Sequence, residues 1–165
     1  MNRHEKILPD ISIVVPLYCE EGNVGHLVTR LSSVIKSMNE NFEIILVDDG
    51  STDSTWEKIE LSAKDNPFIK GIRLSRNFGH QHALLAGLTH ASGCAIISMD
   101  GDLQHPPELI PQLIDKWREG FKIVNTIRDD VRVASFFKRF SSKYFYKCQY
   151  TCYKTYPNTN NQRFG

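Results

Sequence analysis

Asp100 and Asp102 stand on either side of Gly101, directly after the apolar run "CAIISM" and just before the pair Pro106–Pro107. Carboxylates at i and i+2 of an extended turn point the same way, and a glycine between them lets a ligand approach the backbone. Hard oxygen donors in that arrangement suit Mg2+ or Mn2+, and a cation held there suits a diphosphate. Two more acidic sites also follow apolar runs: Glu20 in "PLYCEE", with Pro16 and Tyr18 beside it, and Asp48–Asp49 in "DDGSTD". Each has a plain alternative. A lone DxD is commonly a solvated turn; Asp49, Ser51 or Asp53 could simply cap a helix; Tyr18 and Glu20 could be surface residues. Their joint placement after successive strands favours a site. Five carboxylates on one rim repel one another, and a divalent cation offsets that repulsion.

The elements that would place them there alternate along the chain. "ISIVVP" (11–16), "FEIILV" (42–47), "IKGIRLS", "CAIISM" and "FKIVNTI" read as strands. Between the first two, Val24, Leu27, Val28, Leu31, Val34, Ile35 and Met38 recur at helical spacing. "STDSTWEKIELSAKD" opens on N-cap residues, "GHQHALLAGLTHA" ends before Gly93, and "PPELIPQLIDKWREG" tolerates proline in its first turn. The alternation predicts a single α/β domain with a mostly parallel sheet and helices on both faces. In such sheets ligands bind beyond the carboxyl ends of the strands, where all three acidic clusters fall.

Bulk properties narrow the field. The 165 residues carry 20 Lys and Arg against 19 Asp and Glu, a formal net charge of +1, so charge does not point to nucleic acid. No stretch approaches the roughly 18 apolar residues of a membrane span, and the start lacks a signal-peptide pattern, so a cytoplasmic setting is expected. Cys19, Cys94, Cys148 and Cys152 form no CxxC pair and read as reduced, partly buried thiols.

Four stretches in order, "SIVVPLYCEEGNV", "EIILVDDGSTDST", "IRLSRNFGHQHALLAGLTHASG" and "IISMDGDLQHPPELIPQLIDKWREG", resemble the family 2 glycosyltransferases of the GT-A (Rossmann-like) fold. Within that family they are most similar to enzymes that transfer a sugar to a polyprenyl phosphate, the dolichol-phosphate mannosyltransferase and bactoprenol glucosyltransferase group. The resemblance covers roughly residues 10–147. It implies a metal-dependent, inverting hexosyltransferase of cell-envelope biosynthesis that takes a UDP- or GDP-sugar. It implies that Pro16, Tyr18 and Glu20 line the nucleotide pocket and that Asp48 and Asp49 contact the base and ribose side. Asp100 and Asp102 would hold Mg2+ or Mn2+, with Gln104 contacting the metal–diphosphate. Arg76, Asn77 and Gly79 would shape the donor site, and Arg128 would lie near the phosphates. A phosphate acceptor is already anionic near neutral pH, so no strong general base is required.

Along 133–147, Val133, Phe136, Phe137, Phe140 and Tyr144 share one helical face, with Lys138, Arg139, Lys143 and Lys147 largely elsewhere. That stripe fits a membrane interface or the domain's own core equally well, and the lipid acceptor implied by the resemblance favours peripheral membrane contact. The expected organisation is an N-terminal extension (1–9), the catalytic domain (10–147) and a polar, poorly ordered tail (148–165). The group's acceptor-side segment and membrane helices have no match in "CQYTCYKTYPNTNNQRFG", which reads as a truncated terminus. Two alternatives therefore stand beside the enzyme: a truncated remnant that binds nucleotide-sugar without transfer, and a phosphoryl-transfer domain of the receiver or phosphatase type.

Overall fold

β-Branched runs with no polar alternation become strands covered on both faces. A computed structural model describes residues 9–126 and 152–154, and within it β1 (Ile11–Leu17) and β2 (Phe42–Asp48) are buried at every position. β3 (Ile69–Arg73) and β4 (Ala95–Ser98) complete a parallel set, and β5 (Cys152–Lys154) adds to the β4 edge antiparallel. The sheet order is β3-β2-β1-β4-β5. Between the parallel strands run α1 (Val24–Lys36), α2 (Thr55–Asp65) and α3 (His80–His90); a 3-10 turn (Pro107–Leu109) leads into α4 (Ile110–Arg118).

Alternate strand residues divide the core in two. Ile11, Ile13, Val15, Ile44, Leu46 and Ile97 pack with Leu27 and Leu31 of α1, Ile59 of α2, and Ile110 and Ile114 of α4. Val14, Ile45, Val47 and Ile96 face the other way and are covered by α3 through Ala83, Leu84 and Leu88. The doubly wound α/β sheet expected from the alternation is what forms. Among the described residues, no helix is long and apolar enough to cross a membrane.

Two local readings are corrected. "FKIVNTI" is not a strand over its described residues 121–126. Gly120 at φ +100° turns the chain, the Phe121 N–H donates back to the Lys116 carbonyl at 3.3 Å, and Phe121 and Ile123 stay 55% and 58% exposed. The fifth strand of the sheet is instead Cys152–Lys154, which pairs with β4 in register Ala95↔Lys154 to Ile97↔Cys152. Cys19 and Cys94 are exposed rather than partly buried, and neither is in a disulfide.

Candidate functional site

The strand order fixes where a ligand can enter. From β1 the chain winds outward through β2 and β3, then crosses to the opposite side of β1 to form β4. The crevice at that reversal lies beyond the carboxyl ends of β1 and β4, the position at which doubly wound sheets bind ligands. A cleft of about 180 Å³ opens on that rim, lined by Pro16, Leu17 and Tyr18 after β1, Asp49 after β2, Asn77 and Gly79 after β3, and His80 and Ala83 of α3. The turn after β4 joins it: a β-carbon on Gly101 would collide with the Leu17 side chain and lie 3.5 Å from the Pro16 carbonyl oxygen. Glycine thus lets two rim segments approach closely here, and any larger residue would displace the Leu17 side chain.

The carboxylates reach one rim but do not gather around one point. Glu20 Oε2 accepts from Asn23 Nδ2 at 2.6 Å, which turns it toward the start of α1. Asp48 is fully buried; its Oδ1 accepts the Ser51 N–H at 3.0 Å and its Oδ2 lies 3.3 Å from Arg73 Nε. Asp49 is 2% exposed, and its two oxygens accept the Phe78 and Gly79 N–H groups at 2.8 and 2.9 Å. Among the described residues, no three His, Cys, Asp or Glu side chains converge as a metal-holding group. The picture of five acids around one cation is corrected accordingly: three of them are engaged by local hydrogen-bond donors or by Arg73.

Asp100 and Asp102 remain accessible. Asp100 is about 40% exposed, and Asp102 Oδ1 accepts the Gln104 N–H at 3.0 Å across Leu103, itself at φ +61°. Two histidines that sequence reasoning missed flank Asp100. His80 Nε2 lies 3.6 Å from one of its oxygens and His105 Nδ1 lies 3.7 Å from the other. His80 immediately follows "SRNFG" at the start of α3, so its place at the strand-end rim could have been read from the order of elements. His105 is nearly buried and carries no such signal. Arg76 sits over the Phe78 ring at 4.7 Å from its centroid, outside the cleft-lining set. Arg128 and the stripe at 133–147 lie outside the described residues.

"DDGSTDST" works mainly as wiring between rim loops. Ser51 Oγ accepts the Cys19 N–H at 2.8 Å, Thr55 Oγ1 accepts the Glu20 N–H at 2.8 Å, and Asp53 Oδ2 accepts the Glu21 N–H at 3.2 Å. Slight burial pushes the Asp53 carboxyl up, but the Thr55 hydroxyl and the Glu21 and Thr55 N–H groups outweigh it and hold its pKa below the usual value. The capping alternative is thus realised for part of this motif. The acidic pair after β2 speaks against the receiver-type alternative, because Asp48 is inaccessible and both Asp49 oxygens are engaged.

Arg73 balances the buried Asp48 charge while its guanidinium lies 5.6 Å from the Trp56 ring centroid. Replacing it leaves a carboxylate in the core with one N–H partner. Arg73→Met is expected to lower stability by about 1.5 kcal/mol, within the range for charge-assisted contacts that retain some solvent. Urea unfolding with an unchanged slope checks it.

Comparison with known proteins agrees with this architecture. The family model for glycosyl transferase family 2 matches residues 12–164. An uncharacterized glycosyltransferase of Synechocystis sp. is 45% identical over 156 residues, covering 93% of this chain and 49% of its own length. The chain spans about half the length of the curated relatives it matches. Two solved structures share the fold. One is a mannosyltransferase from Pyrobaculum calidifontis in complex with GDP-Man and Mn2+, at TM-score 0.57 and 23% identity, covering 74% of this chain and 36% of that one. The other is glucosyl-3-phosphoglycerate synthase from Mycobacterium tuberculosis in complex with Mn2+, UDP and its product, at TM-score 0.58 and 23% identity, covering 72% of this chain and 44% of that one.

Proposed function

Because the chain belongs to glycosyltransferase family 2, with a GT-A fold, we propose that it is the donor-binding part of an inverting sugar transferase. The donor is a UDP- or GDP-sugar, and the acceptor is a polyprenyl phosphate or another cell-envelope glycan. The observation that carries this reading is the cleft at the sheet's reversal point, with Tyr18, Asn77, Gly79 and His80 in its wall and Asp100 beside His80. Tyr18 and Asn77 in its wall are groups suited to a base and ribose, while the DxD turn at its edge suits the diphosphate.

The donor set fits a hard divalent cation. Asp100 and Asp102 are two oxygen donors at the rim, and Mg2+ and Mn2+ are typically held by one or two carboxylates with substrate phosphates and water filling the other positions. The absence of a third convergent side chain among the described residues fits a site that the donor itself completes. Gln104, two residues on, is the further polar group of the turn. When bound, such a cation neutralises charge that develops on the departing nucleoside diphosphate.

The chain's own groups do the rest. Tyr18 and Asn77 flank the nucleotide, the rim loops exclude water from one side of it, and the DxD turn orients the pyrophosphate relative to the sugar. In-line displacement then inverts the anomeric carbon, and an anionic phosphate acceptor attacks without a strong base. Arg128 near the phosphates and peripheral membrane contact through 133–147, on the cytoplasmic face, complete the proposal for a lipid-linked acceptor.

The direct test is a thermal-shift panel of UDP- and GDP-sugars with and without Mn2+. A donor at about a hundred times its Kd stabilises by about 2.7 kcal/mol, which raises Tm by several degrees. No shift with any nucleotide-sugar removes the donor site. A shift together with labelled sugar passing to short polyprenyl phosphates supports the enzyme; a shift without transfer leaves a nucleotide-sugar-binding module.

A further inference from the structure

We propose that Asp49 is a positioning residue which acts on the donor through the loop Arg76–Gly79, locking that loop in its binding shape before any nucleotide arrives. The inference rests on the donor reading above and assigns one of its residues a different job from direct contact with base or ribose.

Three observations carry it. First, both carboxylate oxygens are committed to the loop, Oδ1 to the Phe78 N–H and Oδ2 to the Gly79 N–H. An ionised aspartate offers only acceptors, and two successive N–H groups engage one acceptor site on each of its oxygens at once. Second, Asp49 is itself fixed: it is 2% exposed, and its own N–H donates to the Leu17 carbonyl at 2.9 Å. The carboxylate therefore joins the ends of β1 and β2 to the segment after β3. Third, the loop is pressed against the residue next door. Gly50 has φ +68°, and a β-carbon there would come within 2.6 Å of Arg76 Cα and 2.7 Å of Asn77 N. Only glycine supplies both the left-handed turn and the gap through which the loop backbone passes.

The consequence falls on the cleft. The clamped loop presents Asn77 and Gly79 to its interior and leads directly into His80 at the start of α3. Released, the loop loses two charge-assisted hydrogen bonds, and the wall on that side must be ordered by the nucleotide itself. That ordering cost weakens binding.

Asp49→Asn tests the clamp at nearly constant volume. An amide can accept only one of the two N–H groups and turns its own NH2 toward the other. Amide exchange at Phe78 and Gly79 in the ligand-free protein is expected to accelerate at least about tenfold, while that of Ser51, held by Asp48, is unchanged. Affinity for UDP or GDP with Mn2+, read by calorimetry, is expected to fall about tenfold. Gly50→Ala disturbs the same loop without touching the carboxylate and is expected to weaken binding similarly. The double variant is expected to bind no more weakly than the worse single one, because both act through one loop.

Unchanged exchange at Phe78 and Gly79 in Asp49→Asn overturns the clamp. Faster exchange with undiminished nucleotide affinity overturns its role toward the donor. Losses that multiply in the double variant overturn it as well, since Asp49 would then act on the nucleotide independently of the loop. A wild-type protein that binds neither nucleotide sinks the donor reading instead, and the exchange measurement still decides whether the clamp exists.

Discussion

Asp100→Ala and Asp102→Ala are each expected to lower sugar transfer by about 10²–10³-fold, the range seen when one electrostatic contact to developing charge is removed. Neither side chain is part of the core: Asp100 is about 40% exposed, and Asp102 contributes one turn bond to the Gln104 N–H. Both variants should therefore melt within a few degrees of the parent. The informative measurement is nucleotide binding with and without Mn2+. If the turn works by holding a cation, the variants lose the part of the affinity that Mn2+ adds and keep the part that Tyr18, Asn77 and their neighbours supply. Variants that lose metal-free binding just as much would show that the turn only shapes the cleft. Retention of full transfer by both would eliminate the DxD turn from the mechanism.

Such an experiment is needed because sequence could place carboxylates on the rim but could not tell which already had partners. Asp48 and Asp102 look alike in sequence, each at or just beyond a strand end beside small and polar residues. Asp48 is neutralised by Arg73, a residue of the neighbouring strand brought opposite by the register Asp48↔Arg73. That pairing is long-range information. Local patterns were legible wherever burial was complete: β1, β2 and the apolar face of α1 stand where their spacing placed them. They failed where an element depends on a remote edge. The run after Gly120 has strand-like residues but forms no strand over 121–126, while Cys152–Lys154, set in a polar tail with no apolar signature, pairs with β4. The same distinction explains the histidines. His80 lies at a predictable helix start, whereas His105 comes to Asp100 through a turn whose left-handed Leu103 nothing in the composition announces.

At the opposite end of the sheet, Glu43→Ala is expected to cost about 3 kcal/mol, the low end for breaking a buried ion pair, or a Tm loss of roughly 6–12 °C for a domain of this size. Glu43 is 3% exposed. Its Oε1 accepts the Ser12 hydroxyl at 2.5 Å and the Ser92 N–H and hydroxyl at 2.7 and 2.9 Å, and its Oε2 pairs with Lys70. Ser12 Oγ in turn accepts the Gly93 N–H at 2.8 Å. One carboxylate thus ties β1, β2 and β3 to the loop that returns from α3 into β4, and its loss strands several donors at once. Burial pushes the Glu43 carboxyl up, but Lys70, Ser12 and Ser92 together outweigh it, so its pKa in the folded protein lies below the ordinary value of 4.5. The sign follows: a carboxyl with a depressed folded pKa contributes stability that is present above its unfolded pKa and is lost as pH falls through the folded one. Stability measured between pH 7 and pH 3 should accordingly fall on the acid side of about 4.5 in the parent, and the Glu43→Ala protein should show a shallower fall over the same range. Glu43→Gln, which keeps the shape but turns an NH2 toward one set of donors, should lie between the two in stability and share the shallower profile. A Glu43→Ala protein with the parent's Tm would mean that Lys70 and the two serines find equivalent partners in water, and that the β4 loop is held by packing alone.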